Sequence, residues 1–202
     1  MDILDKIQDK IMDDNVKLKK YFYTKANKHY VIHIYNPSNE SIALDSKNKQ
    51  FYKELINMLF NKDKKGCFNH EQADNSYYYQ LDLQGLVNKF ISENKYCLIM
   101  INKDFKPLSF LSLGDNAIWS VCTNLNYRKK GYMTILINHT LDLLKYKKIK
   151  TDVQYDNLLI YIKHVNPIKD KLFEYYKKFG FKYFKKDSEF IIMKLNKVSI
   201  SL

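Results

Sequence analysis

The stretch AIWSVCTNLNYRKKGYMTILINHTLDLLK, residues 117–145, decides how this chain folds. Its first residues are apolar and β-favouring, which predicts a central strand. From Met133 onward, apolar residues recur at spacings of three and four, which predicts an amphipathic helix. Arg128 and Gly131 mark a short basic turn between the two. A strand that enters a helix through such a turn leaves the first N–H groups of the helix without intrahelical partners, and these can bind a phosphate.

Arg128 is unusual because it is the only arginine among the 34 Lys and Arg residues of the chain, and it stands three residues before one of five glycines. Lysine could supply the charge, but it lacks the planar fork of donors. We therefore interpret residues 128–134 as a candidate cradle for a pyrophosphate. An ordinary turn with solvated lysines is the alternative that the residues themselves leave open.

Length and composition favour one globular domain with an appendage, since the chain has 202 residues, of which 46% are hydrophobic and 15% aromatic. No apolar run is long enough for a membrane span, and the N-terminus lacks a signal pattern. We therefore expect a soluble, intracellular (cytoplasmic) protein without a membrane partner. The net charge of +12 comes from lysines in nearly every segment, so nucleic acid is a less favoured partner than a small molecule.

The three cysteines are odd in number and share no close spacing, which argues against a disulfide framework and suits a reducing compartment. Cys67 and His70 could form half of a zinc site. No second Cys or His pair has ligand spacing, so we expect no metal.

The periodicity of the whole chain predicts an ordered series of elements. It begins with a helical N-terminal extension over residues 1–28, followed by a strand and two helices. An antiparallel meander of three strands and the helix after Gly131 come next. A further strand, which the crossover places parallel to the strand that begins at Ala117, precedes a helix and a final hairpin. The predicted strands are residues 29–35, 96–102, 108–113, 117–124, 158–165, 181–185 and 190–195. Apart from the helix after Gly131, the predicted helices are residues 46–59, 83–91 and 166–179.

This order, with Arg-x-x-Gly opening the third helix, resembles the GNAT superfamily of acyl-CoA-dependent N-acetyltransferases over residues 29–197. A second motif supports the resemblance: YYKKFGF, residues 175–181, places Tyr176 at the family's functional tyrosine. The resemblance implies an α/β (α+β) fold, with a mixed, mostly antiparallel sheet of six to seven strands flanked by about four helices. The acyltransferase domain would span residues 29–202. Met133 departs from the small residue of the family's loop.

The resemblance also implies a site for acetyl-CoA as co-substrate, with no metal. The pantetheine arm would pair with the backbone of Val121, Cys122 and Thr123. The pyrophosphate would bind at the start of the third helix, at Arg128, Lys129, Lys130, Gly131, Tyr132, Met133 and Thr134. Asn166 matches the family's asparagine after the fifth strand, although its spacing from Tyr176 differs.

The implied reaction is direct attack of a primary amine on the thioester. An alkyl amine with a pKa near ~10.4 must first lose a proton, so a base or a water chain is needed. Tyr176 would act as the acid toward the CoA thiolate. His164 is the preferred base because imidazole titrates near neutrality, and Asp115 is a second candidate. The family's glutamate is replaced by Ala117.

The acceptor stays open between a small molecule and a protein amine, and the protein would be a monomer or a homodimer. A different class of function also fits the residues. A catalytically weak or inactive GNAT-fold module could bind acyl-CoA or nucleic acid without useful chemistry.

Overall fold

The computed structural model describes residues 22–24, 29–35, 44, 46, 48–60, 67, 82–93, 96–102, 104–148, 153–164 and 166–196. Within these ranges the strands are β1 Phe22–Thr24, β2 His29–Tyr35, β3 Tyr96–Ile101, β4 Pro107–Gly114, β5 Ala117–Thr123, β6 Leu159–Lys163, β7 Phe181–Lys186 and β8 Phe190–Leu195. The α-helices are α1 Lys49–Phe60, α2 Leu83–Glu93, α3 Tyr132–Lys145 and α4 Lys169–Lys177, and short 3-10 turns cover Leu125–Tyr127 and Tyr155–Asn157.

The strands form one hydrogen-bonded sheet in the order β1-β2-β3-β4-β5-β6-β8-β7. The β1–β2, β2–β3, β6–β8 and β7–β8 pairs are antiparallel, and β5–β6 is parallel, as the crossover predicted. The predicted mixed α/β fold class is confirmed. The sheet has one strand more than the six to seven predicted, because Phe22 pairs with Val31.

That extra strand corrects part of the predicted N-terminal helix. Residues 22–24 are extended and paired with β2, and aromatic and β-branched residues such as these favour strands. The rest of the predicted extension, residues 1–21 and 25–28, lies outside the described residues. No described helix is long and apolar enough to cross a membrane.

The chain forms two compact units, and their boundary passes through β5 and α3. Unit 1 comprises residues 1–112 and 121–136, and unit 2 comprises residues 113–120 and 137–202. Unit 1 therefore contains β1, β2, β3 and most of β4, together with the end of β5 and the start of α3. Unit 2 contains the start of β5 with β6, β7, β8 and α4.

Unit 1 is built around an aliphatic and aromatic core between its sheet and two helices. Alternate residues of β2 and β3 join the buried faces of α1 and α2 in one cluster: Tyr30, Ile32, Ile34, Phe51, Tyr52, Leu55, Ile56, Met58, Leu59, Val87, Phe90, Cys97, Ile99, Ile101, Phe110 and Cys122. All six residues of β3 are buried, which explains its continuous apolar sequence. The Tyr96 hydroxyl lies 2.7 Å from Nδ1 of the buried His33 ring.

A disulfide joins Cys67 to Cys122 in unit 1, across 55 residues of sequence. The prediction that the cysteines form no disulfide is therefore wrong for these two, and they no longer support the argument for a reducing compartment. The fold brings their Cα atoms to 5.7 Å, a separation that sequence spacing cannot reveal. Cys97 is a free, buried thiol, and burial raises the pKa of this group well above its usual value.

Unit 2 has a sheet with two different faces. Ile160, Ile162, Met193 and Leu195 are buried, and α4 contributes the buried Tyr176 to this unit. On β7, by contrast, only Phe181 is buried. The β7–β8 hairpin was predicted across residues 186–188, and the register of the two strands confirms it.

Candidate functional site

The candidate site begins where β5 leaves its parallel partner. The β5–β6 ladder consists of two register pairs, Ala117 with Leu159 and Ile118 with Ile160. The remaining residues of β5 run beyond this ladder. Near the end of β5, the Thr123 hydroxyl oxygen lies 3.1 Å from the Ser109 hydroxyl oxygen on β4. Cys122 is buried and tied to Cys67, so the end of β5 is fixed from two sides.

Asn124 converts the end of β5 into a turn, and sequence reasoning gave it no role. Its backbone N–H donates to the Leu108 carbonyl at 3.0 Å, and its side-chain amide donates to the Pro107 carbonyl at 3.3 Å. Its side-chain oxygen accepts from the Asn126 N–H at 3.2 Å and so caps the 3-10 turn. The signal was present in the sequence, because asparagine directly after a β-rich run favours such a cap.

The loop after this turn has an unusual backbone. Lys129 has φ 64° and Gly131 has φ 78°, so two residues of the four between the 3-10 turn and α3 are left-handed. A Cβ added at Gly131 would meet nothing within 4 Å. Glycine is therefore favoured here by the backbone conformation and not by crowding. This is the physical reason for the Arg-x-x-Gly spacing.

Helix α3 starts directly after the left-handed glycine. The Ile135 N–H donates to the Gly131 carbonyl at 3.1 Å, so this carbonyl is part of the first helical turn. The first turn of α3 contains no acidic side chain. The positive end of the helix dipole is thus not neutralised by its own first turn, which favours an anion at this end.

The Arg128 side chain turns back toward β5. Its Nε donates to the Thr123 carbonyl at 3.2 Å, and its Nη2 lies 3.8 Å from Cys67 Sγ. Arg128 therefore holds the loop against the end of β5, which the fork of guanidinium donors permits and a lysine ammonium would not. The predicted contact of Arg128 with a pyrophosphate stays a prediction.

Aromatic contacts order the remaining residues of the loop. The Tyr127 and Tyr132 ring centroids are 6.3 Å apart, and the Lys130 ammonium lies 5.3 Å from the centroid of Tyr127. Tyr132 and Met133 open α3 and are partly buried. The residues predicted to bind the diphosphate are therefore brought together in one ordered segment of unit 1.

Tyr176 lies on α4 in unit 2 and is 3% exposed. Its ring packs edge-to-face against Tyr175 and Phe181, at centroid distances of 5.4 and 6.3 Å. Burial, with a smaller effect of the Tyr175 phenol, raises the pKa of Tyr176 well above its usual value. The hydroxyl is therefore protonated throughout the physiological pH range.

His164 forms hydrogen bonds with the β7–β8 turn through its side chain and its backbone. Its Nε2 lies 3.0 Å from the Asp187 carbonyl oxygen, and its backbone N–H donates to the Glu189 carbonyl at 2.9 Å. A carbonyl can only accept, so Nε2 carries the hydrogen and Nδ1 is the basic nitrogen of the neutral ring. The second base candidate, Asp115, occupies a hairpin turn with φ 46°, next to Asn116 with φ 60°.

Asn166 has a local structural role in unit 2. Its side-chain oxygen accepts from the Ile168 N–H at 3.0 Å, and its carbonyl accepts from the Lys169 N–H at 3.0 Å. Asn166 thus orders the chain that enters α4. Its predicted contact with the coenzyme stays a prediction.

Among the described residues, no group of three or more His, Cys, Asp or Glu side chains could hold a metal ion. His70, the other half of the candidate zinc pair, lies outside those residues.

The arrangement of strands and helices defines the GNAT fold, and comparison with solved structures bears this out. No protein-family model and no curated protein matches the sequence. The structure of the PaiA N-acetyltransferase from Thermoplasma acidophilum in complex with coenzyme A has a TM-score of 0.50 and 20% identity. The match covers 77% of this chain and 98% of the PaiA chain. This chain therefore has the GNAT fold that the resemblance predicted.

Two further solved structures are similar at a lower level. An N-acetyltransferase from Staphylococcus aureus Mu50 has a TM-score of 0.49 and 16% identity, over 82% of this chain and 98% of its own. The PH1933 protein from Pyrococcus horikoshii OT3 has a TM-score of 0.49 and 18% identity, over 81% of this chain and 96% of its own.

Proposed function

We propose that this protein is an N-acetyltransferase that transfers the acetyl group of acetyl-CoA to a primary amine. The loop between β5 and α3 carries this proposal. It combines the left-handed Lys129 and Gly131 with a helix start that has no acidic residue. Backbone N–H groups at a helix start bind a diphosphate without any particular side chain, which fits the variable residues between Arg128 and Gly131.

The coenzyme would extend from this loop along β5. In the proposal, the backbone of Val121, Cys122 and Thr123 pairs with the pantetheine arm. The short β5–β6 ladder supports it, because β6 engages β5 only at Ala117 and Ile118. The disulfide of Cys122 and the hydroxyl contact of Thr123 would hold these carbonyl and N–H groups at fixed positions, which is the preorganisation that binding requires.

Tyr176 would stabilise the departing thiolate of CoA. A thiol with a pKa near ~8.5 is a stronger acid than this buried phenol, so complete proton transfer from Tyr176 is uphill. We therefore propose that the Tyr176 hydroxyl stabilises the developing thiolate mainly as a hydrogen-bond donor. Its raised pKa supports this role because it keeps the donor hydrogen in place.

The amine must lose a proton before it attacks, and His164 is the proposed base. Since Nε2 donates to the Asp187 carbonyl, the proton would be accepted at Nδ1. Asp115 remains the second candidate, and a water chain the third. The acceptor is a primary amine of a small molecule or a protein. We further propose a cytoplasmic monomer or homodimer whose acyltransferase domain spans residues 29–202.

The proposal can be tested with two matched glycine variants. Gly131→Ala and Gly180→Ala each force alanine into a left-handed backbone, at φ 78° and 91° respectively, and each should cost about 1 kcal/mol of stability. Acetyl-CoA should raise the melting temperature of the wild type and of Gly180→Ala. It should not raise that of Gly131→Ala, since only this variant changes the proposed diphosphate loop.

Activity is measured in the same proteins by thiol release from acetyl-CoA with a panel of primary amines. We expect release that depends on the amine in the wild type and in Gly180→Ala. If Gly131→Ala retains full stabilisation by acetyl-CoA, the loop is not the coenzyme site. If acetyl-CoA stabilises the wild type but no amine releases the thiol, the protein binds the coenzyme without transfer to the tested class.

A further inference from the structure

One face of the unit 2 sheet carries aromatic rings and lysines together. Directly opposed residues of neighbouring strands share a face, so the registers Tyr161–Ile192, Lys163–Phe190 and Lys182–Lys194 place their members on the same side. We call this the aromatic–lysine face, and it comprises Trp119, Tyr161, Lys163, Lys182, Phe184, Lys185, Phe190 and Lys194.

The rings of this face form a row across three strands. Trp119 and Tyr161 stack with centroids 5.0 Å apart and ring planes within 7°, and Tyr161 meets Phe190 edge-on at 5.6 Å. Trp119 is nevertheless 47% exposed, and Phe184 at the neighbouring β-bulge is 51% exposed. The row of Trp119, Tyr161 and Phe190, with the exposed Phe184 on the adjacent strand β7, forms an aromatic patch of the kind that marks an interaction surface.

The lysines on this face are arranged differently from the lysines of helix α4. The Lys194 and Lys185 ammonium groups lie 5.6 and 6.0 Å from the centroid of Phe184. On α4, by contrast, Lys177 pairs with Glu174 at 2.9 Å. The strands β6, β7 and β8 contain five lysines and no acidic residue, although Asp187 in the hairpin turn interacts electrostatically with Lys185.

One cross-strand pair is electrostatically unfavourable by itself. Lys182 and Lys194 are directly opposed on β7 and β8, and like charges in this position destabilise a sheet. The carboxylates of the hairpin lie in its turn, where Asp187 accepts the N–H groups of Glu189 and Phe190 at 2.8 and 2.7 Å. An anion bound between the two lysines would remove their repulsion.

We infer that the aromatic–lysine face binds a single-stranded nucleic acid. Phosphates would lie between Lys182 and Lys194, and a base would stack on the exposed ring of Phe184. Lysines beside exposed aromatic rings match the two parts of such a ligand, since each phosphate needs a cation and each base needs a π-face. A purely anionic partner would leave the exposed rings unused, and an apolar partner would leave the lysines unpaired. This site is independent of the proposed acetyl transfer.

The test uses a labelled oligothymidylate of about twenty nucleotides, long enough to cover one such face. Binding is followed by anisotropy and by tryptophan fluorescence, which reports on this face directly because Trp119 is the only tryptophan. We expect quenching of Trp119. Lys182→Gln with Lys194→Gln should reduce the slope of log affinity against log salt by about 1.4, since each single-strand phosphate contact contributes about 0.7.

Two variants separate this site from diffuse charge. Lys171→Gln with Lys178→Gln removes the same charge from exposed positions of α4 and its C-terminal end, and should leave the salt slope unchanged. Phe184→Leu should weaken binding roughly 5- to 150-fold at every salt concentration, the equivalent of one lost base stack.

The inference would be overturned by equal loss of affinity in the two double-lysine variants or by unchanged affinity of Phe184→Leu. It would also be overturned if the protein bound heparin as tightly as the oligonucleotide, or if it bound vesicles of anionic phospholipid in preference to it. Displacement of the oligonucleotide by saturating acetyl-CoA would also overturn it, because the face would then belong to the coenzyme site.

Discussion

The strands of the two units differ in how far their side chains are buried. In unit 1, every residue of β3 is buried, and its alternate residues lie in a core with α1 and α2. In unit 2, β7 buries only Phe181, and its neighbours on the sheet carry exposed rings and lysines. The difference is that the β3 side chains are enclosed in a core, whereas most β7 side chains are exposed to solvent.

The largest expected difference between the units is in the free energy of unfolding that is lost when a phenylalanine of each unit is replaced by alanine. Phe110→Ala removes a fully buried ring of the unit 1 core and should lower the free energy of unfolding by about 3–5 kcal/mol. Phe184→Ala removes a half-exposed ring in unit 2 and should change it by less than about 0.5 kcal/mol. Urea unfolding of both variants measures this, and similar losses would contradict the comparison.

The disulfide gives the second prediction, since all three cysteines lie in unit 1. A crosslink that closes a loop of 55 residues stabilises by up to about 4 kcal/mol in the chain-entropy model. Cys67→Ser should lower the unfolding free energy accordingly and make it insensitive to reducing agent.

Cys97→Ala is the matched control for this prediction, because Cys97 is buried and unpaired. Its unfolding should remain sensitive to reducing agent. Unfolding of the wild type that does not respond to a reductant would show that Cys67 and Cys122 are not joined in solution.

Much of the fold could be predicted from the sequence, because the decisive signals are local. The strands predicted from apolar, β-favouring runs, the helix after Gly131 and the β7–β8 hairpin follow from residues close in sequence, and each is found. Gly131 was identified from its spacing to Arg128, and its left-handed φ gives that spacing a physical cause.

The features that sequence reasoning missed are contacts between distant segments. The Cys67–Cys122 disulfide spans 55 residues, and the Trp119–Tyr161 stack joins strands separated by a helix. The His164 contact with the Asp187 carbonyl likewise depends on the pairing of the β7–β8 hairpin with β6. No periodicity encodes such pairings, since tertiary packing sets them. The alternating lysines and aromatics of FKYFKK were a signal for the exposed face of β7.

The third prediction concerns chemistry in unit 2. Tyr176→Phe removes only the hydroxyl from a buried ring, and should lower turnover about 100-fold, as expected for loss of a positioned proton or hydrogen-bond donor. Stabilisation of the protein by acetyl-CoA should persist. The control is Tyr175→Phe on the same helix, which should turn over normally. Unchanged turnover in Tyr176→Phe would rule out the proposed role.

The smallest effect is a pH dependence in the part of α3 that belongs to unit 2. Burial lowers the pKa of His139, with a smaller opposing effect of Asp142 and a further lowering by Lys148. Because the unfolded chain then binds the proton more readily, stability is complete above the ordinary histidine pKa of about 6.5 and falls as the pH drops below it. His139→Gln should show a weaker loss between neutral and mildly acidic pH, measured by thermal unfolding. An identical pH profile would contradict this.

The central claim is that the backbone at the start of α3 holds the diphosphate of acetyl-CoA, and amide chemical shifts test it most directly. Acetyl-CoA is titrated into isotopically labelled protein, and the left-handed glycines Gly131 and Gly180 serve as probe and reference. We expect a large, saturable shift of the Gly131 amide and little change at Gly180. An unmoved Gly131 amide at saturating acetyl-CoA would contradict the claim.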